Sequence, residues 1–358
     1  MIIGLNASKI TEAKNTGIGK TVSSIVTELA QIKSQDQIYL YSPKPLPEAL
    51  LSNPRFTAKI IPFRRLWHSL RLPLALKRDK PDVFLELSAS IPSFAPAHSF
   101  VLIHDLAFKH FPEAYSPKEG IMQDQAIQKD LKHGATLIVT TEANKQDLLQ
   151  FYPEAAERQI AVIPLGFTPI EKPDNSKTNL APYFLSVGRL EKRKNTLLTI
   201  QAFDLFKTAN PESEIKLILV GKDGFGADEI HQAVEHSPFK ADIQVKGYLS
   251  DQELAELYYQ AEALLYPSLY EGFGYPMLEA MSTDLPVICS DVPTLREVGG
   301  DAPLYINPQD PAALAQAMSE VLHPATRKEM IAKGRNVIKN YSWAKTAQKI
   351  YDLLKGGI

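Results

Sequence analysis

A chain of 358 residues exceeds what one hydrophobic core usually serves, so two domains are the natural expectation. Hydrophobic residues at 44% and charged residues at 22% are ordinary for a globular protein, and 39 Lys plus Arg against 41 Asp plus Glu give a net charge of −2. That balance excludes a general nucleic-acid binder, and the single cysteine, Cys289, excludes an internal disulfide.

In chain order, Ile2–Leu5, Ile38–Tyr41, Ala58–Ile61, Val83–Leu87, Phe100–Ile103, Leu137–Thr140 and Ile160–Ile163 are short apolar runs that predict buried strands. Lys20–Ile32, Pro117–His133 and Ala143–Phe151 predict helices between them. Alternation without hairpin signals means a mostly parallel sheet wrapped by helices. The polar, proline-rich run from Pro169 to Pro182 then breaks every periodicity and predicts a linker. The alternation restarts with strands Tyr183–Val187, Ile215–Val220, Ile243–Val245, Ala263–Tyr266 and Pro286–Ser290. Helices are expected at Asn195–Ala209, Asp251–Gln260, Pro276–Ser282 and Pro311–Leu322, with Ser342 as N-cap of a last one. The expected organisation is therefore domain 1–168, linker 169–182, domain 183–340, and a terminal helix 341–358 packing back on the first domain. Two Rossmann-like α/β domains facing one another would make a cleft, because ligands bind beyond the carboxyl ends of parallel strands.

Two constellations carry chemistry. In Gly188-Arg189-Leu190-Glu191-Lys192-Arg193-Lys194-Asn195, four basic residues fall between a strand end and a helix start, where amide donors and the helix dipole attract phosphate. In Glu271-Gly272-Phe273-Gly274-Tyr275-Pro276-Met277-Leu278-Glu279-Ala280, a glutamate opens a glycine loop and a second follows in the helix. Glycines allow close backbone approach, and both carboxylates can accept sugar hydroxyls.

These two motifs resemble the retaining glycosyltransferases of GT-B fold, the glycosyl transferases group 1 that include bacterial mannosyltransferases and sucrose and glycogen synthases. Pro286-Val-Ile-Cys-Ser-Asp291, Leu295-Arg-Glu-Val-Gly-Gly300 and Asn307-Pro308 add to the likeness. The resemblance implies that Arg189 and Lys194 bind the donor diphosphate, Glu279 the ribose and Glu271 the transferred sugar. Phe273 and Gly274 would offer backbone amides, and Tyr248 would lie in the base-contacting segment. In the first half, Asn15-Thr-Gly17-Ile-Gly19-Lys20 resembles the glycine loop that meets the diphosphate across the cleft. His104-Asp105, at the end of a predicted strand, resembles the family's active-site pair.

The implied reaction is metal-independent transfer of a hexose from a nucleoside-diphosphate sugar to a saccharide or lipid-linked acceptor, with retention. No cofactor or metal is expected, and no Asp-x-Asp metal signature occurs. His-Asp-Leu-Ala-Phe108 followed by Phe111-Pro-Glu113 leans towards mannose and GDP-mannose, with UDP-glucose open. The alternatives are a UDP-sugar epimerase and a non-catalytic sugar-binding protein. An NAD(P) dehydrogenase is disfavoured, since neither half opens with Gly-x-Gly-x-x-Gly. With no secretory signal and no run near ~20 apolar residues, the expected location is cytoplasmic or on the inner face of the cell membrane. Peripheral contact would run through Phe63–Lys80, where six basic residues interleave with Trp67 and five leucines; the alternative is a helix with Trp67 and the leucines in the core and a solvated basic face, interrupted at Pro73.

Overall fold

The computed structural model describes residues 1–12, 17–62, 66–173 and 181–356. Asn15 and Thr16 of the glycine run, Arg64 and Arg65 of the basic segment, and the middle of the expected linker lie outside the described residues. The chain forms two compact units, Met1–Gly166 with Tyr341–Ile358, and Phe167–Asn340.

The first unit holds a seven-stranded parallel sheet in the order β3-β2-β1-β4-β5-β6-β7. Its strands are β1 (Ile2–Asn6), β2 (Gln37–Ser42), β3 (Phe56–Ile60), β4 (Val83–Glu86), β5 (Ser99–Ile103), β6 (Thr136–Val139) and β7 (Ile160–Val162). The second unit holds a six-stranded parallel sheet in the order β10-β9-β8-β11-β12-β13. Here β8 is Tyr183–Val187, β9 Lys216–Val220, β10 Ile243–Lys246, β11 Ala263–Tyr266, β12 Val287–Ser290 and β13 Leu304–Ile306. Helices cover both faces, which is why the inner strands read as unbroken apolar runs rather than alternating ones. Phe184, Phe203, Phe206 and Leu217 centre the core of the second unit, and Phe84, Val101, Leu72 and Trp67 that of the first.

Strand order reverses between β1 and β4 in the first sheet and between β8 and β11 in the second. Those switch points open a crevice beyond the carboxyl ends, where the connecting loops diverge to opposite faces. The loops after β8 and β11 are the two motif loops, so the topology alone places them side by side.

The helix Trp343–Gly356 belongs to the first unit and packs on the helix Gly17–Gln31, burying Ala347, Ile350 and Leu354. Ser342 Oγ accepts from Lys345 N at 3.2 Å, and Thr346 Oγ1 donates to Pro164 O at 2.8 Å. Tyr351 reaches back to the carboxylate of Asp36 and to Ser34 Oγ. In the second unit, Ile170 is held from both sides: its N–H donates to Ser282 Oγ at 3.2 Å and its carbonyl accepts from Tyr259 Oη at 3.0 Å.

Among the described glycines of the first unit, Gly166 leaves the least room: an added Cβ would lie 2.2 Å from the backbone nitrogen of Trp343. Gly166→Ala must therefore displace the start of the last helix, at a cost of about 1–3 kcal/mol. Thermal unfolding should register a drop of several degrees for Gly166→Ala. Gly120→Ala, whose new methyl meets nothing within 4 Å, should leave the transition unchanged or slightly raised. Equal midpoints for the two variants would show that the contact is not tight.

Candidate functional site

In the second unit the sequence Gly188–Asn195 connects β8 to the helix Thr196–Ala209 through the short turn Lys192–Lys194. Asn195 adopts a left-handed backbone (φ 58°), which Asn tolerates well, and its side chain donates to Pro308 O at 2.8 Å. The helix start is thus fixed against the Asn307-Pro308 turn. The four basic residues separate by environment. Arg189 lies at the rim, its side chain 64% exposed, 3.7 Å from Glu191 Oε2 and 3.4 Å from Asp223 O. Lys192 is also exposed, whereas Arg193 and Lys194 turn inward.

Their common partner is Glu271, which is 6% exposed. Lys194 Nζ donates to Glu271 Oε1 at 2.5 Å and to Tyr266 Oη at 3.4 Å. Arg193 donates to Glu271 Oε2 at 3.2 Å, to Tyr270 O at 3.0 Å and to Glu191 Oε1 at 2.8 Å. The backbone repeats the link, with Leu269 N donating to Arg193 O at 2.8 Å. Burial pushes the Glu271 carboxyl up, but the charges of Lys194 and Arg193, with hydrogen bonds from Lys194 and Tyr266, outweigh it and hold it at about 2. Tyr266 moves the other way: burial, then the Glu271 charge, raises its phenol well above the ordinary value, so the hydroxyl stays protonated and donates to Glu271.

The loop 267–274 enters the helix Tyr275–Ser282 through Gly274, whose φ of 98° and 2.8 Å Cβ approach to Leu295 Cδ2 admit no side chain. Phe273 is buried, with its ring edge-on to Tyr275 at 5.3 Å. Glu279, two-thirds along that helix, accepts from Tyr258 Oη at 3.0 Å, so the two glutamates of the motif have different partners.

The glycine-rich run Gly221-Lys-Asp-Gly-Phe-Gly226 follows β9 and reads from sequence as a turn near the phosphates. It is a second layer of the site, joined to the Arg189 loop by Leu190 N to Lys222 O, Gly224 N to Leu190 O and Lys192 N to Phe225 O, all at 2.9–3.0 Å. At Gly221 (φ 152°) a Cβ would stand 1.9 Å from Gly188 O, so only glycine allows the two loops to meet. Lys222 Nζ lies 4.7 Å from the ring of Tyr248, which is 64% exposed just beyond β10. The omissions from the sequence reading were Arg193 and Tyr266. Arg193 sat unmarked inside the basic cluster, and Tyr266 closed a predicted strand.

In the first unit, His104 follows β5 and its Nε2 donates to Leu87 O, beyond β4, at 2.8 Å. Burial lowers its pKa, against the Leu87 hydrogen bond and the Asp105 charge. The ring is thus neutral at neutral pH, with Nε2 carrying the proton and Nδ1 an acceptor. Asp105 Oδ1 accepts from Ala107 N at 2.9 Å and shapes the turn. One expectation needs correction: Gly17 and Gly19 are not in a loop before a helix at Lys20. The helix starts at Gly17, with Gly17 exposed and Gly19 buried in its first turn. Below His104, Glu86 at the end of β4 is fully buried and takes Asn6 Nδ2 at 2.8 and 3.0 Å, Ser88 N at 3.0 Å and Ala89 N at 3.1 Å. An isolated glutamate in an apolar run gave no signal of that network.

A family model described as glycosyl transferases group 1 matches residues 168–356. The O-antigen chain mannosyltransferase B of Escherichia coli is 29% identical over 362 residues, spanning 92% of this chain and 93% of that protein. The serotype-specific mannosyltransferase WbdA of Escherichia coli is 29% identical over 301 residues, which is 76% of this chain but 35% of that protein. Among solved structures, sucrose-phosphate synthase from Thermosynechococcus elongatus superposes with a TM-score of 0.73 at 19% identity, covering 99% of this chain and 98% of that one. The fold is therefore the two-domain GT-B architecture.

Because the Glu271 carboxyl stands at about 2 when folded and 4.5 as its ordinary value, its ionisation stabilises the unit fully above pH 4.5. That contribution, on the order of 1–3 kcal/mol, is lost as pH falls from 4.5 towards 2. Glu271→Gln lacks the linkage, so its urea midpoint should fall less than that of the wild type between pH 6 and pH 3. Parallel declines in both proteins would show that Glu271 is not held ionised by Lys194 and Arg193.

Proposed function

The chain belongs to the glycosyl transferases group 1 and is a glycosyltransferase, and from that premise we propose that it transfers mannose from GDP-mannose, with retention and without a metal, to a saccharide or lipid-linked acceptor hydroxyl in polysaccharide assembly. The observation that carries this reading is the clustering of Lys194, Arg193 and Glu271 at the switch point of the second sheet. The mannosyltransferase names of two relatives support the sugar.

The chemical demand is stabilisation of negative charge on the departing diphosphate while the anomeric carbon becomes oxocarbenium-like. Glu271 and Tyr266 occupy two of the three donors of Lys194, and the third is suited to a phosphoryl oxygen. Arg189, exposed at the rim, supplies a bidentate fork to the same group. The start of the helix Thr196–Ala209 adds its dipole. Amides of Phe273 and Gly274, at the entry of the next helix, serve the sugar or phosphate. Glu271, kept ionised, accepts hydroxyls of the transferred sugar, Glu279 those of the ribose, and Tyr248 with Lys222 faces the base. In the first unit, Gly17 and Gly19 lie at a helix start suited to the diphosphate. Neutral His104, oriented by Leu87 O, presents Nδ1 to the donor sugar near the acceptor, and Asp105 shapes its turn. The leaving phosphate takes the acceptor's proton.

Lys194→Ala and Arg189→Ala should each lose transition-state stabilisation of roughly 2.7–4 kcal/mol, read as kcat/KM with GDP-mannose. Normal turnover in both would remove the diphosphate assignment. In binding assays, Glu279→Ala should weaken free GDP, whereas Glu271→Ala should weaken GDP-mannose far more than GDP; equal losses on GDP contradict the division. Activity should persist in EDTA, because Arg189, Lys194 and backbone amides meet the diphosphate and the sequence carries no Asp-x-Asp. Loss in EDTA restored by Mg²⁺ would overturn the metal-independent scheme, and turnover with UDP-glucose alone would overturn the donor.

A further inference from the structure

β4 ends on a residue that apolar packing does not call for. Val83, Phe84 and Leu85 are fully buried, and so is Glu86, at 0% exposure. A carboxylate gives up its water at such a place and needs hydrogen bonds in return, whereas a leucine would fill the position without that cost. The bonds are present. Asn6 Nδ2 reaches both oxygens, at 3.0 and 2.8 Å, and is held in that sense because Asn6 Oδ1 accepts from Ser8 N at 3.1 Å. Ser88 N, Ser88 Oγ and Ala89 N all donate to Glu86 Oε1, at 3.0, 3.2 and 3.1 Å. On the other side, His68 Nε2 lies 3.6 Å from Oε2.

The turn gathered in this way leads to His104. Leu87 O and Ser88 N belong to one peptide unit, which is planar and trans, so its carbonyl and its amide hydrogen point in opposite directions. The amide is fixed on Glu86, and the carbonyl therefore faces away from it, where it meets His104 Nε2 at 2.8 Å. Further along, Ile91 N donates at 2.6 Å to Oδ1 of Asp130, which is 2% exposed. Residues 87–91 thus run between two buried carboxylates, one from β4 and one from the helix Pro117–His133. They lie beyond the carboxyl end of β4, at the switch point of the first sheet, where ligands of such sheets bind.

We propose that Glu86 is a positioning residue for His104: by taking the Ser88 N–H it sets the plane of the Leu87–Ser88 peptide, whose carbonyl then takes the proton of Nε2 and leaves Nδ1 as an acceptor. A neutral imidazole has two tautomers, and the partner of one nitrogen decides which is populated. With the same peptide turned over, an N–H instead of a carbonyl would meet Nε2, and the proton would move to Nδ1. A hydroxyl donor would then find no lone pair there. The bearing of this on transfer rests on the reading of His104 as the group that faces the donor sugar.

Long-range nitrogen–proton NMR spectra of the isotope-labelled full chain test it, with His104 identified by the signal that His104→Gln removes. The wild type should show a single His104 tautomer, protonated on Nε2; a proton on Nδ1 overturns the proposal without recourse to any variant. Glu86→Leu offers the Ser88 amide no acceptor, so the single tautomer should give way to a mixture. In the same protein kcat with GDP-mannose should fall on the order of 100-fold, the scale of a misplaced group, while GDP affinity, which the second unit provides, holds. Glu86→Gln keeps an oxygen for Ser88 and Ala89 and should restore both the tautomer and most of kcat. Glu86→Asp draws the oxygens back by one methylene and should give a smaller loss of the same kind, which serves if Glu86→Leu does not fold. An unchanged His104 spectrum in folded Glu86→Leu, or in Glu86→Asp, overturns the proposal. Mixed tautomers with wild-type kcat would uphold Glu86 as the residue that sets His104 and would overturn instead the place of His104 in sugar transfer.

Discussion

A carboxylate buried among cations organises the ligand-facing edge of the second unit. Loss of the Glu271 charge would leave Lys194 with Tyr266 alone, and loss of Lys194 would leave Glu271 with Arg193, which it shares with Glu191. Removing one member costs stability, because the charges that remain lose a partner while largely shielded from water. The consequence is mechanical. The loop after β8 and the loop after β11 are separate connections in sequence, yet the shared charge, reinforced by the Leu269–Arg193 backbone bond, makes them one rigid piece. Catalytic electrostatics depends on dipoles and charges held in place before the charge develops, and this arrangement supplies that condition.

The third loop is joined by a different constraint, the absence of atoms. Gly221 passes so near the Gly188 carbonyl that any Cβ is excluded, and that contact lets Lys222 and Asp223 lie along the Arg189 loop. Polar attraction and steric permission thus act on neighbouring loops of one sheet end. In the first unit the comparable centre is Glu86, whose carboxylate gathers Asn6, Ser88 and Ala89 and so sets the turn after β4. His104 takes its orientation from the Leu87 carbonyl in that same turn.

Much of the architecture was legible in the residues. Strands such as Val83–Glu86 and Ala263–Tyr266 are buried on both faces, so the requirement for continuous apolar side chains writes itself into the sequence. β13, with only three residues, left too short a run to detect, and the helix Pro324–Val337 buries just Met330 and Gly334, so it shows no periodicity. At the site, residue types and spacing located both motif loops but could not tell which of Arg189, Lys192, Arg193 and Lys194 turns inward. Side-chain direction in a short turn is set by what lies opposite, here Glu271 some 78 positions later, and local sequence holds no record of that. The same holds for Gly221-Lys-Asp-Gly-Phe-Gly226, whose partner strand is another loop. In the segment 66–79 the composition left open whether Trp67 and the leucines enter the core or face outward; Trp67, Leu72 and Leu76 are buried, while Leu66, Leu70 and Leu74 are exposed.

The assignment of the helix Trp343–Gly356 to the first unit bears on how the chain acquires its shape during synthesis. Residues 167–340 are contiguous and can close their sheet as soon as they have emerged, whereas the first unit must wait, with Gly166 and the Asp36 carboxylate uncovered, until a segment made after the entire second unit arrives. Completion of the first unit therefore depends on a segment synthesised after the second. Until that segment is made, the flank of the helix Gly17–Gln31 that the last helix covers stays open to water.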